Sequence, residues 1–368
     1  FPSGVHCNQY DLDWMQWTPD GKEVTMEYNK RGHQLYQMLA MNAETGKLRT
    51  VVEERANTFV NYGRIWRQFI NDGKQLLWTS ERDNWNHLYL YDVQKGKLIR
   101  QITKGNWFVR GIQRVDETNG TIYFTASGVN PKEDPYQIHY YKIGIDGKNL
   151  VALTPEDGNH SAKYSYDYRY LLDTYSKVNA APVTVVRDAQ SGKLVKTLET
   201  ADITTPQKHG WVAPEVFVAK GRDGKTDMWG IIQRPTNFDP TKKYPVIEYI
   251  YAGPGDAYTP KDFMPYNWYT TSLAELGFIV VQLDAMGTSY RGKQFEEVCY
   301  KNLKDAGFPD RELWIKDAAQ KYPYMDADNV GIYGCSAGGQ ESTTAVLLHG
   351  DFYKAAYSAS GCHDNRME

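Results

Sequence analysis

Gly334-Cys335-Ser336-Ala337-Gly338, within "NVGIYGCSAGGQESTTAVLLHG", places a serine among residues too small to crowd it. The pattern is G-x-S-x-G, which suits acyl transfer through a serine hydroxyl when a strand precedes it and a helix follows. Both flanks fit: Val330–Tyr333 reads as a strand and Gln340–Leu348 as a helix. In such an elbow the serine sits on a sharp turn, and glycines two residues to either side relieve the crowded backbone. The other reading is a glycine-rich turn whose serine is incidental.

An acyl-transfer nucleophile needs donors for the oxyanion. The backbone N–H of Ala337, at the start of the helix, supplies one, and the hydroxyl of Tyr251 in "IYAGPGDAY" is the candidate for the second. Read alone, a tyrosine before Ala-Gly-Pro is more often a packing residue, so the role of Tyr251 depends on the elbow. A triad also needs an acid and a histidine after the serine. Only His349 and His363 follow Ser336. His349 ends the predicted helix and His363 lies just past the next strand, so each reads as a cap or loop residue before it reads as the base. The expectation is a chain that stops before its own acid and base, and 368 residues that do not turn over peptide esters alone.

The elements that would carry this site begin near Thr204. "EVFVAKGRDGKTDMWGIIQRP" is a hairpin around Asp223-Gly224. "KKYPVIEYIYAGPG", "LGFIVVQLDAMG", "NVGIYG" and "YKAAYSASG" are short strands alternating with helical segments such as "WYTTSLAELG" and "DRELWIKDAAQKY". Strands alternating with helices predict a mostly parallel α/β sheet. Upstream, a glycine turn recurs at Gly46, Gly96, Gly147 and Gly192, in steps of 50, 51 and 45 residues, with another turn about 25 residues before each. Turn, strand, loop, strand, turn at this period is the pattern of β-propeller blades, four of them over roughly residues 10–203. A β-sandwich of similar hairpins would share some of these turns.

Composition sets outer limits. A chain of 368 residues suggests about two domains. Its 42 basic and 45 acidic residues are evenly spread, with net charge −3, and offer no nucleic-acid or anionic-membrane surface. The 28 tyrosines and 10 tryptophans favour abundant strands. Cys7, Cys299, Cys335 and Cys362 show neither a disulfide framework nor zinc spacing, and no cofactor or metal is expected. No apolar run is long enough to span a bilayer. Phe1 stands where an intact chain would begin with Met, so a fragment is expected and the compartment stays open.

The succession of propeller turns, the strand end "YAGP" and the serine elbow resembles the dipeptidyl peptidase IV branch of the prolyl oligopeptidase family, over essentially the whole chain. The resemblance implies that residues 1–203 are the C-terminal half of an eight-bladed propeller. It implies that 204–368 are the N-terminal part of an α/β-hydrolase domain, truncated before the catalytic Asp and His. It assigns the nucleophile to Ser336, the oxyanion hydroxyl to Tyr251, and a structural role to Asp284, Gly287 and Gly292 in "LDAMGTSYRGKQF". Peptide substrates, release of N-terminal dipeptides (Xaa-Pro or Xaa-Ala), a homodimer and a periplasmic or secreted site are what such membership implies.

Two segments depart from the family pattern. Ala337 stands where the family's namesake carries an aromatic residue, and "GCHDNRME" stands where an aromatic stretch opens the proline pocket, so the resemblance does not define the second-position preference. The family grips the substrate amine with paired glutamates. The resemblance places that pair on an earlier blade, upstream of Phe1, and Glu53-Glu54, near a blade end, reads as a solvated charge pair before it reads as the clamp. An oligopeptidase or acylaminoacyl peptidase of the same family, or a non-catalytic propeller binding module, would use the same sequence differently.

Overall fold

The computed structural model describes residues 5–6 and 15–364. Cys7, the first part of the first blade and Asn365–Glu368 of the "GCHDNRME" stretch lie outside the described residues. The chain forms two compact units, one of residues 1–131 and 138–155, the other of 132–137 and 156–368.

Among the described residues, the first unit holds three antiparallel sheets whose main strands span 23–55, 67–101 and 108–152. Their sequences are apolar on both sides, which sheets packed face to face require. In Gln75–Ser80, Leu76 and Trp78 pack towards Met38, Val51 and Val52 of the preceding sheet. Leu77 points the other way, into a cluster with Val109, Ile122 and Phe124 of the next. A fourth antiparallel sheet, over 159–200, belongs to the second unit although it continues the turn pattern of the first three. Four sheets of blade type therefore match the four repeats.

The second unit also contains a six-stranded sheet: β1 (Glu215–Lys220), β2 (Asp227–Gln233), β3 (Tyr244–Tyr249), β4 (Ile279–Asp284), β5 (Met325–Cys335) and β6 (Tyr353–Ala359). Its order is β1-β2-β4-β3-β5-β6, antiparallel through β1, β2 and β4 and parallel from β4 onward. The apolar run "IVVQLD" makes β4 buried at every residue, as expected for a strand covered on both faces.

Two longer helices follow, α1 (Phe308–Lys321) and α2 (Ala337–Leu348). Helix α1 buries Phe308, Trp314, Ile315 and Ala318 at helical spacing, and Trp314 donates Nε1–H to the Phe217 carbonyl at 3.2 Å. In "WYTTSLAELG" only Thr271–Ala274 is helical, because Gly277, at φ 98°, ends the turn almost at once.

The α/β core encloses an ion pair. Arg311 of α1 and Glu248 of β3 pair with both side chains at zero exposure, and Tyr353 donates its hydroxyl to the other Glu248 oxygen at 2.7 Å. Arg311 also donates to the carbonyls of Ala306 (2.9 Å) and Leu283 (3.1 Å). Charges this deep persist only when most of their hydrogen-bonding capacity is met. Burial and the Glu248 charge together push the Tyr353 hydroxyl well above its usual pKa.

Candidate active site: the serine elbow and the tyrosine loop

Strand β5 ends at Cys335 and α2 begins at Ala337, so Ser336 occupies the single junction residue. Its backbone has φ 59° and ψ −121°, outside the regions that L-residues ordinarily adopt. Pairing on both sides enforces this turn. Cys335 remains in parallel register with Ala359 of β6, and Ser336 donates its N–H to the Ala359 carbonyl at 2.9 Å. The Ser336 carbonyl then accepts from Gly339 (3.0 Å) and Gln340 (3.1 Å), starting the helix. The side chain is exposed and makes no capping hydrogen bond.

The glycines of the motif answer to one neighbour. A Cβ on Gly334 would stand 2.4 Å from the Ile250 carbonyl oxygen, and one on Gly338 would stand 2.2 Å from the same atom. The strand end before Tyr251 is thus pressed against both sides of the elbow. The same Cβ on Gly338 would lie 3.7 Å from the Tyr251 Cα. Register explains the meeting: β3 and β5 are adjacent and parallel, with Tyr249 opposite Tyr333, so their C-terminal ends emerge together.

Beyond Tyr251 the loop is held by buried acceptors. Asp284, fully buried at the end of β4, accepts from the N–H of Tyr258 (2.7 Å) and of Thr259 (3.0 Å). Gln282 donates to the Tyr258 carbonyl at 2.8 Å, and Ser289 to that of Pro254 at 2.7 Å. The Tyr251 and Tyr258 rings lie with centroids 4.6 Å apart, and burial followed by the neighbouring Tyr251 raises the pKa of the Tyr258 hydroxyl. Asp284 thus has the structural place expected of it. Gly287 and Gly292, with φ of 100° and 93°, occupy conformations that favour glycine.

The elbow and tyrosine loop therefore assemble three of the residues singled out in sequence: Ser336, Ala337 and Tyr251. The N–H of Ala337 belongs to the first turn of α2 and has no intrahelical acceptor, and it sits at the positive end of the helix.

The histidines are placed elsewhere. His349 caps the far end of α2, about 20 Å along the helix from Ser336 by the rise per residue. Its Nδ1 pairs with Glu312 Oε1 at 2.8 Å. The exposed His363 ring lies against Gly361 near the first turn of α2, within 2.7 Å of where a Gly361 Cβ would project. Among the described residues, no histidine hydrogen-bonds Ser336.

Glu53 and Glu54 are not a pair. As successive strand residues they point to opposite faces. Glu53 is exposed and bonded to Arg55 and Gln37. Glu54 is buried, accepts from Trp78 Nε1 (2.9 Å) and Ser80 Oγ (2.8 Å), and pairs with Arg82. Neither an amine clamp nor a solvated charge pair describes them: one is solvated and the other joins two sheets.

Sequence reading missed Glu341. It lies on α2, buried, and its Oε2 accepts the N–H of Ala252, the residue after Tyr251, at 2.9 Å. Burial pushes its pKa up to about 8, with Arg311 and the Ala252 N–H opposing and Glu248 adding to the rise. Its position five residues beyond the serine is no signal by itself, because the sequence does not show which face of the helix is buried.

Blade-type sheets and a β1-β2-β4-β3-β5-β6 sheet with a serine elbow define a propeller followed by an α/β-hydrolase sheet. Comparison with known proteins narrows this class. Residues 1–182 match the dipeptidyl peptidase IV N-terminal region, and residues 264–368 match the prolyl oligopeptidase family. A dipeptidyl peptidase 4 of Trichophyton rubrum is 31% identical over 308 residues, covering 81% of this chain and 38% of that protein. A Bacteroides ovatus structure assigned as a dipeptidyl aminopeptidase IV superposes with a TM-score of 0.81 at 26% identity, over 95% of this chain and 52% of that one. Porphyromonas gingivalis dipeptidyl peptidase 4, at 24% identity and a TM-score of 0.79, shares the fold. The chain belongs to the prolyl oligopeptidase family, in its dipeptidyl peptidase IV-like branch, and spans well under half the length of the curated relatives it matches.

Proposed function

We propose that this protein is a serine exopeptidase that releases dipeptides from peptide N-termini through an acyl-enzyme on Ser336. The observation that carries the reading is the exposed Ser336 in its strained turn, with the Tyr251 segment packed on the same elbow. Ser336 Oγ attacks the scissile carbonyl as a base removes its proton. The carbonyl oxygen gains charge, and the Ala337 N–H and Tyr251 hydroxyl stabilise it. Collapse breaks the C–N bond as the protonated base gives that proton to the leaving amine, and the acyl-enzyme remains. Water, deprotonated by the same base, then hydrolyses the acyl-enzyme, and the base returns the proton to Ser336 Oγ. The acid and base of the triad are assigned to no residue described here. By the same family analogy the protein acts as a homodimer outside the cytoplasm.

The test is to give the full-length protein and its Ser336→Ala variant a mixed peptide library in free and N-acetylated forms, with products read by mass. Two-residue losses from free peptides only, absent in the variant, are the expected result. Cleavage of acetylated peptides would move the assignment to an acylaminoacyl peptidase or oligopeptidase. No cleavage by the wild type would leave a binding module. Size-exclusion chromatography with light scattering checks the dimer, and fractionation of the source cells checks the compartment.

A further inference from the structure

The elbow helix and the tyrosine loop meet at one side-chain hydrogen bond between residues 89 positions apart, from the Ala252 N–H to Glu341 Oε2 at 2.9 Å. Glu341 is only 7% exposed. It lies on the helix whose first N–H is the Ala337 donor, and its partner follows directly on Tyr251. One carboxyl thus spans the two halves of the oxyanion site. We propose that Glu341 is a positioning residue: by tying Ala252 to α2 it sets the Tyr251 hydroxyl against the Ala337 N–H. The assignment rests on the peptidase reading above.

The charge of this carboxyl matters because it lies behind a site where negative charge develops. A neutral acid still accepts from Ala252 through its carbonyl oxygen and leaves the oxyanion's field undisturbed. An ionised one puts a like charge beside it. The groups facing Glu341 are Arg311 on α1, Glu248 on β3 and Tyr258 on the loop, and Tyr353 on β6 is bonded to that Glu248. Arg311 is already committed to Glu248, so it does not fully offset a second carboxylate. Burial keeps Glu341 protonated up to about pH 8, and its ionisation above that pH depresses turnover.

The experiment uses the full-length protein with Glu341→Gln and Glu341→Ala. It measures kcat and KM from pH 6 to 10, the melting temperature, and hydrogen exchange at the Ala252 amide. Glutamine keeps an acceptor and cannot ionise. It is expected to retain kcat within about threefold at pH 7 and to lose the alkaline decline centred near pH 8. Alanine is expected to lower kcat about tenfold or more with KM within about twofold, corresponding to one missing orienting bond in the transition state. It should also speed Ala252 exchange.

A kcat for alanine equal to wild type, or an alkaline limb unchanged in glutamine, would overturn the assignment. So would unchanged Ala252 exchange. If wild type shows no Ser336-dependent hydrolysis at any pH while alanine still frees the Ala252 amide, the peptidase reading fails and the catalytic role of Glu341 fails with it, but the tie itself stands.

Discussion

Replacing Ser336 with glycine should stabilise the protein while abolishing its chemistry. At φ 59° and ψ −121° a side-chain-bearing residue is held in a conformation that costs of the order of 1–3 kcal/mol. Glycine removes that cost but loses about 0.5–1 kcal/mol of additional backbone entropy on folding. The exposed serine side chain makes no cap bond, so little packing or hydrogen bonding is forfeited. The balance is about 1 kcal/mol in favour of glycine, which raises the melting temperature by roughly 2–4 °C for a unit of this size. Alanine keeps the Cβ and with it the strain, so Ser336→Ala should melt close to wild type. Differential scanning calorimetry of the three proteins decides the matter. A glycine variant melting at or below the alanine variant would refute the claim that pairing of Cys335 and Ser336 with β6 holds Ser336 in a strained turn.

Gly338→Ala should act in the opposite sense: its Cβ would meet the Ile250 carbonyl oxygen at 2.2 Å, and the backbone shift costs about 1–3 kcal/mol or more in urea unfolding. Arg311→Met should cost about 3–5 kcal/mol by the same measurement, because it leaves Glu248 charged and unpaired in the core. The raised pKa of Glu341 gives stability a definite pH dependence. The folded protein keeps a proton that the unfolded chain releases above the ordinary carboxylate range, so this contribution is fully present below that range and is lost as pH rises through about 8. Melting temperatures from pH 4 to 9 should therefore fall less steeply in Glu341→Gln than in wild type.

Local sequence was sufficient for the elements whose cause is local. Turn glycines at steps of 45–51 residues announced four blade sheets, because each hairpin needs its own positive-φ turn. The small residues around Ser336 announced the elbow, because a strand that turns directly into a helix leaves no room for Cβ atoms nearby. Single-residue facing within a strand was harder. "VVEER" shows two adjacent carboxylates, and only the packing of one face of that strand on the next sheet decides that Glu54 is buried against Trp78 while Glu53 meets water. Tyr251 was named as a donor from its position at a strand end, but its packing against the elbow follows from β3 and β5 being neighbours in register, a pairing formed over more than 80 residues of chain. Glu341 carried no signal in sequence at all. A glutamate on a helix is ordinarily a solvated residue, and what makes this one a buried acceptor near neutral pH is the parallel sheet that brings Ala252, Arg311 and Glu248 around it. The sequence by itself thus determined the serine elbow, the turn that exposes Ser336 and the succession of sheets, all consequences of short-range sterics. Only the tertiary structure decided which distant groups meet that turn, because burial and charge depend on neighbours that chain order does not supply.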